Sequence, residues 1–171
     1  MYDKIYTFLN RFFDKATLFK LMFNISPMYR RSCGRITSVS KDLHIVKIKI
    51  SLTYKNKNYV GSMFGGSLFS ATDPIYMIQL MQILGKDYVV WDKSTEIKFK
   101  KPVYKSAYAI FEFTAEELES IKSKVASENE VNHVKKLYIT DENNLIYSEL
   151  DKTIYISSKS YYKKKKSSSF S

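Results

Sequence analysis

Apolar and polar residues alternate along several short stretches of the chain. The clearest alternation runs from Val46 to Leu52, where every second residue is apolar and those between are lysine or serine. A period of two is typical of a β-strand with one buried face. Five further strands are predicted at CGRITSVSKD, YVVWDKSTEIKFKKP, YKSAYAIFEF, HVKKLYIT and LIYSELDKTIYIS. The first of these forms a hairpin with the 46–52 strand, turning near Lys41 and Asp42.

Three segments show helical spacing instead. Residues 1–25 carry apolar residues at intervals of three and four, which predicts an amphipathic helix. Packing of this helix onto the domain or a partner is favoured over docking on a membrane surface. Residues 114–125 begin with a Thr114–Glu117 capping box and predict a short surface helix.

The third helical segment, Ser67 to Leu84, is apolar on nearly every face. Such a helix is enclosed by protein or spans a membrane. Asp73, Pro74 and two glutamines within it argue against a span. We therefore expect one long central helix, capped by Gly85, with an antiparallel sheet wrapped around it.

Composition adds limits to this α+β picture. The chain has 171 residues, 44% of them hydrophobic, which fits one globular domain. Net charge is +11, but the run Lys163–Lys166 supplies four of these charges and the remainder is +7. We predict that residues 160–171 are a disordered lysine- and serine-rich tail after a domain at 26–159. No nucleic-acid-binding motif accompanies the charge.

Cysteine and histidine usage narrows the chemistry. A single cysteine excludes an internal disulfide framework and fits a reducing, cytoplasmic compartment. The two histidines are far apart in sequence, and no CxxC spacing occurs, so no metal site is predicted.

The segment FGGSLFSATD, together with the order of elements, resembles the hotdog fold of thioesterase-like proteins, most nearly the phenylacetyl-CoA type. Proteins of that type carry a His-Gly-Gly motif at the start of the central helix and an acid seven residues after the second glycine. Gly65, Gly66 and Asp73 stand in that register, whereas Phe64 occupies the histidine position. The stretches NYVGSMF and TIYISSK also look like an uncharacterised hotdog domain family. The likeness covers residues 26–159.

The resemblance implies that Asp73 acts on a thioester as a nucleophile or general base. The backbone N–H groups of Gly65 and Gly66 would face the oxyanion at a helix N-terminus. The acid and the glycine turn would then come from different subunits of a homodimer or a tetramer of dimers. A structural alternative makes Asp73 an internal cap for the helix that restarts after Pro74.

Four further residues are candidates for contact with substrate. Asn58 and Ser62 flank the turn before the glycines and could donate hydrogen bonds, although a plain loop role explains Asn58 as well. Phe64 begins the glycine turn, and Thr95 lies on the strand that faces the central helix.

Two functions remain open from the sequence. One is hydrolysis of acyl-CoA or acyl-carrier thioesters, with coenzyme A entering only as part of the substrate and no cofactor or metal. The other is a non-catalytic acyl-ligand binding or interaction module, which the Phe64 departure favours.

Overall fold

The computed structural model describes residues 14–168. Within these residues the chain forms six helices and six strands. In chain order they are α1 (Lys15–Ile25), α2 (Pro27–Arg31), β1 (Gly34–Val39), β2 (Ile45–Ile50), α3 (Gly65–Thr72), α4 (Ile75–Leu84), β3 (Tyr88–Phe99), β4 (Ala107–Glu112), α5 (Ala115–Glu128), β5 (Glu130–Thr140), β6 (Ile146–Ser158) and α6 (Lys159–Ser168).

All six strands belong to one antiparallel sheet in the order β1-β2-β4-β5-β6-β3. The β1–β2 and β5–β6 hairpins follow chain order, whereas β3 crosses over to pair with β6 along its whole length. The predicted α+β architecture, the six strands and the Thr114–Glu117 capping box are therefore confirmed. A consequence is that β1 and β3 are the two edge strands.

The core lies between the central helices and one face of the sheet. Alternation places Val46, Ile48 and Ile50 of β2 inside, and all three are at most 1% exposed. From the helical side, Tyr76 packs edge-on against Phe111 and Phe113, with ring centroids 4.8 and 5.2 Å away. Burial of each large apolar side chain contributes about 1.5–3 kcal/mol to stability.

The single long central helix predicted from sequence is wrong in one respect, because the helix is interrupted. Helix α3 ends at Thr72, Asp73 is extended with φ −100° and ψ 132°, and α4 begins at Ile75. Pro74 explains the break, since proline lacks an N–H and disfavours the helical conformation of the residue before it. Asp73 therefore lies at the end of a helix rather than inside one.

Helix α1 covers the edge of the sheet at β1. The Asn24 side chain donates to the Ile36 carbonyl and accepts from the Ile36 N–H, both at 2.9 Å, as a neighbouring strand would. Phe19 and Phe23 of α1 are buried in the same core as the sheet. Of the predicted helix at 1–25, residues 1–13 lie outside the described part of the chain, and the remainder packs onto the domain.

Residues 159–168 form helix α6, where the sequence predicted a disordered tail. Lys165 donates to both carboxylate oxygens of Glu130, at 2.7 and 2.9 Å, and its ammonium lies over the Tyr155 ring. Tyr162 also packs near Tyr155, with ring centroids 6.2 Å apart. These partners come from β5 and β6, so the local lysine composition could not reveal them.

The packing of α1 leads to a test of stability. We expect Phe19→Ala to lower the free energy of unfolding by about 3 kcal/mol or more, because the ring is 4% exposed and stacks on Phe23. The control is Leu21→Ala on the same helix, 38% exposed, with an expected loss of about 1 kcal/mol or less. Urea denaturation measures both, and equal losses would contradict the packing of α1 onto the domain.

Candidate functional site

The glycine pair opens helix α3. Phe64 is the N-cap residue, and Gly65 and Gly66 are the first two helical residues. The first N–H groups of a helix have no intrahelical acceptor and carry partial positive charge. The start of α3 is thus a candidate site for the oxygen of a polarised carbonyl.

Aromatic rings lie close to both glycines. A Cβ atom at Gly65 would lie 2.9 Å from the Phe99 ring, and one at Gly66 would collide with the Phe64 ring. Phe64 is still 58% exposed and Phe99 56% exposed, so each ring covers a glycine on one side and faces solvent on the other. Phe64 therefore covers the start of the helix with an apolar ring. Thioesterase-like proteins of the phenylacetyl-CoA type have the imidazole of a histidine at this position.

Asn58 and Ser62 bond to each other across the turn before the glycines. The Asn58 amide donates to the Ser62 hydroxyl at 2.8 Å, and its carbonyl oxygen accepts from the Ser62 N–H at 3.0 Å. Ser62 is buried. These contacts fix the loop that leads into Phe64. Contact of Asn58 or Ser62 with a substrate stays a prediction.

A cavity of about 340 Å³ opens beside the glycine turn. Its walls include Ser62, Gly65, Leu68 and Phe99, and residues 100–103 form one side. The cavity is lined mainly by apolar atoms, with Lys100 and Lys101 on its rim side. It is large enough for part of an extended acyl or pantetheine chain.

Asp73 lies at the opposite end of α3 from the glycine turn. Asp73 is seven positions after Gly66, a rise of about 10 Å along the helix. The side chain of Asp73 is 48% exposed, although the apolar segment that contains it was predicted to be enclosed by protein. The capping alternative is also wrong, because Pro74 is the N-cap residue of α4 and no side chain caps that helix.

Two residues that the sequence analysis did not assign to the site lie next to Asp73. Lys152 of β6 has no exposed side-chain surface, and its Nζ lies 3.5 Å from Asp73 Oδ1 and 3.7 Å from Asp92 Oδ2. Asp92 of β3 is 18% exposed, and neither carboxylate oxygen accepts a hydrogen bond from the described residues. We call Asp73, Asp92 and Lys152 the acid–lysine cluster.

A β-bulge at Lys93 brings Asp92 and Thr95 to the same face of β3. Asp92 is registered with Ile154 and Thr95 with Lys152, and the register shifts between Asp92 and Ser94. A bulge re-aims the side chains that follow it, and bulges are frequent beside active sites. The predicted site residues Thr95 and Asp73 therefore both lie near Lys152, whereas the other predicted residues gather at the glycine turn.

The electrostatics of the cluster centre on Asp92. Loss of water around its carboxyl raises the pKa of Asp92 to about 6, and the nearby Asp73 carboxyl acts in the same direction. The Lys152 ammonium acts oppositely and limits this rise. Asp92 thus changes charge close to neutral pH.

The alternation of residues along β6 could have predicted from the sequence that Lys152 is buried. Leu150, Lys152, Ile154 and Ile156 are alternate residues of β6, and all four are buried. A lysine on an otherwise apolar strand face indicates a buried charge that needs a partner. Asp92 was harder to place, because the bulge interrupts the alternation that would assign its face.

Solved structures with similar folds define the class of this protein. A protein of unknown function from Pseudomonas aeruginosa, described as a probable thioesterase, aligns with TM-score 0.73 and 17% identity, covering 83% of this chain and 95% of its own. A protein of unknown function from Chlorobaculum tepidum gives 0.66 and 18%, covering 83% and 93%. A thioesterase from Haemophilus influenzae gives 0.61 and 11%, covering 84% and 91%. The chain has the hotdog fold of thioesterase-like proteins.

Residues 15–156 match the family described as a domain of unknown function (DUF4442), and the chain belongs to that family. The match begins at the first residue of α1, which agrees with the packing of that helix onto the sheet. No curated protein matches the sequence.

Residues 14–168 contain neither a side-chain cluster suited to a metal ion nor a helix suited to crossing a membrane. No group of three or more histidine, cysteine, aspartate or glutamate side chains there is arranged to hold a metal ion. None of the helices in this range combines the length and apolarity required to cross a membrane.

The raised pKa of Asp92 predicts a pH dependence of stability. The carboxyl of Asp92 binds its proton more tightly in the folded protein than in the unfolded chain. In the unfolded chain its pKa has the ordinary value of 3.8. This contribution is complete below about pH 4 and is lost as the pH rises through about 6. Relative to Asp92→Asn, we expect the wild type to lose about 2–3 kcal/mol of unfolding free energy between pH 4 and 7.

Chemical denaturation at half-unit pH steps measures this difference. The control is Asp87→Asn, which removes an exposed carboxylate just before β3. A difference between wild type and Asp92→Asn that does not change with pH would contradict the assigned burial of Asp92.

Proposed function

We propose that this protein hydrolyses acyl thioesters, with acyl-CoA or a related acyl-carrier thioester as substrate and Asp73 as general base or nucleophile. The observation that supports this most directly is the position of Asp73. Its carboxylate is half exposed to solvent on one side and lies 3.5 Å from a fully buried ammonium on the other. Such an acid is both fixed in place and reachable by water or substrate.

As a general base, Asp73 takes a proton from a water molecule while the water oxygen bonds to the thioester carbonyl carbon. The carbonyl oxygen becomes an oxyanion, which the N–H groups of Gly65 and Gly66 stabilise. Collapse of this intermediate breaks the C–S bond, and the thiolate receives the proton held by Asp73. The products are a carboxylic acid and a free thiol, and the reaction needs no metal or redox cofactor.

Two copies of the chain are required for this geometry. Asp73 and Gly66 of one copy are separated by the length of α3, but β3 offers a way to bring copies together. Its outer edge pairs with no other described strand, and a twelve-residue edge strand is a template for pairing. The other edge, at β1, is covered by Asn24 of α1.

Antiparallel pairing of β3 with β3 of a second copy is the arrangement that a two-fold axis produces. Gly65 contacts Phe99 at the end of β3, whereas Asp92 of the acid–lysine cluster lies nearer its start. Antiparallel strands place the end of one beside the start of the other. The glycine turn of each copy would then lie toward Asp73 of its partner, giving two sites in each homodimer.

The substrate's phosphates also have a candidate partner. Lys101 borders the cavity beside Gly65, and Lys100 next to it pairs with Glu149 at 3.1 Å. A pantetheine arm in this cavity would carry its phosphates toward these lysines. Net charge of +11 favours the approach of such an anionic substrate.

A non-catalytic acyl-binding module is the second candidate function. The observation that favours it is Phe64, whose ring covers Gly66 and presents an apolar surface to solvent. Such a ring could hold an acyl chain without helping to polarise its carbonyl.

The activity test uses purified protein and a panel of acyl-CoA thioesters, short, long and aromatic, with free thiol release as the signal. We expect Asp73→Asn to lower kcat/KM by about a hundredfold while the fold is kept, since a positioned acid or base typically contributes this much. Asp87→Asn, an exposed acid, is the control and should retain activity. Absence of turnover, with a thermal midpoint raised by the same thioesters, would reject hydrolysis and favour the binding module.

The shared site has a test that needs two inactive variants. Gly66→Val places a branched side chain over the N–H groups of the glycine turn, and Asp73→Asn removes the acid. If each site takes one residue from each copy, a mixed dimer restores one complete site. Random co-assembly should then recover about a quarter of wild-type activity, because half the dimers are mixed and each has one good site.

Each variant is measured alone as the control, and light scattering determines the mass of every sample. A monomer at assay concentration, or a mixture no more active than its components, would contradict a site shared between copies.

A further inference from the structure

Lys152 is the most deeply buried charge among the described residues. It has no exposed side-chain surface and stands on a strand face otherwise occupied by leucine and isoleucine. Removing an ammonium from water costs several kcal/mol unless opposite charges and hydrogen bonds replace the water. Two carboxylates approach its Nζ from two other elements, the end of α3 and strand β3.

The two carboxylates differ in their access to solvent. Asp73 is 48% exposed, whereas Asp92 is 18% exposed and both of its oxygens are shielded from water. Only the exposed member can meet a water molecule or a thioester. The buried member lies close to both Lys152 and Asp73, so it acts on the exposed acid without meeting substrate itself. In many enzymes two carboxylates in different environments have different pKa values, and each therefore has its own role in catalysis.

The contacts within the cluster are long for hydrogen bonds. Nζ to oxygen distances of 3.5 and 3.7 Å exceed the 2.7–3.2 Å that is usual for N–H···O bonds. The Lys152 ammonium therefore holds both acids chiefly through charge, without short hydrogen bonds. Catalytic contacts often tighten only when substrate is bound.

We propose that Lys152 and Asp92 are positioning residues for Asp73: Lys152 fixes the Asp73 carboxylate at the end of α3, and Asp92 anchors Lys152 from the side of β3. This inference rests on the proposed thioester hydrolysis and assigns roles to two residues outside the glycine-and-acid motif. The bulge at Lys93 is part of the arrangement, because it brings Thr95, which is registered with Lys152, to the same face as Asp92.

Ionisation of Asp92 then controls how strongly Lys152 holds Asp73. Below about pH 6 Asp92 is neutral and Lys152 attracts the Asp73 carboxylate alone. Above that pH Lys152 is shared between two carboxylates, so Asp73 becomes more available to accept a proton. Helices α3 and α4 contribute no charged residue to this region, and β3 and β6 supply Asp92 and Lys152 on the inward face near Asp73. Strand β5 adds Lys135, which is registered with Lys152 and pairs with Glu117 at 2.8 Å.

The kinetic test compares the pH profiles of wild type, Asp92→Asn and Lys152→Met. For wild type we expect kcat/KM to rise with pH through about 6, the pKa of Asp92. Asp92→Asn, which keeps the shape of the side chain, should lower kcat about tenfold with little change in KM. Its kcat/KM should no longer rise with pH through about 6, a rise that we call the acid limb of the profile. Lys152→Met should lower kcat about a hundredfold.

Controls separate positioning from stability. Asp151→Asn and Lys136→Met change the neighbouring exposed pair on the outer face, 39% and 58% exposed, and should leave the profile unchanged. Asp92→Glu restores the carboxylate and should recover the acid limb at least in part. Folded Asp92→Asn and Lys152→Met enzymes with wild-type rates and pH profiles would overturn the proposal.

A second measurement needs no turnover and no substrate, so it distinguishes failure of this proposal from failure of the proposed function. The carboxyl carbon signal of Asp73, followed by carbon-13 NMR, should move as Asp92 ionises in the wild type. This response should disappear in Asp92→Asn, and persistence of the same response there would overturn the coupling. Coupling without any thioester turnover would instead reject hydrolysis and leave the cluster itself supported.

Discussion

The charge of Lys152 is the constraint on which much of this structure depends. A fully buried ammonium is tolerated only when acids stand close to it, and the chain supplies them from two distant places. Asp73 reaches it because the central helix stops at Pro74 and the chain extends for one residue. Asp92 lies on the inward face of β3, and the bulge at Lys93 brings Thr95, opposite Lys152, to that same face. The helix break at Pro74 and the bulge at Lys93 thus both shape the surroundings of the Lys152 ammonium.

The edges of the sheet impose a second constraint. Unpaired strand edges expose backbone donors and acceptors, and proteins usually cover them. At β1 the amide of Asn24 takes both hydrogen bonds that a neighbouring strand would make to Ile36, so helix α1 closes that side. The opposite edge, β3, has twelve residues and ends at the exposed ring of Phe99. The asymmetry between the edges explains why pairing between copies, where we propose it, falls on β3.

The two ends of α3 have opposite chemical character, which links these constraints to function. Its start offers backbone N–H groups between two aromatic rings, and its end offers a carboxylate beside a lysine. One end can stabilise a negative oxygen and the other can accept a proton. The length of the helix keeps them about 10 Å apart in one chain, so the reaction we propose needs a second copy to bring them together.

The sequence by itself determined the succession of helices and strands along the chain, the apolar central segment, the Thr114–Glu117 cap, the glycine pair and the spacing of Asp73 from it, because alternation and local turn chemistry act over only a few residues. Only the tertiary structure decided that Lys152 and Asp92 flank Asp73, since residues 73, 92 and 152 meet through strand pairing and a bulge that local patterns do not report. The same holds for α6, whose lysine run looks disordered until Glu130 and Tyr155 are placed beside it. Periodicity reveals which face of a strand is buried, but the partner of a buried charge depends on contacts between residues far apart in sequence.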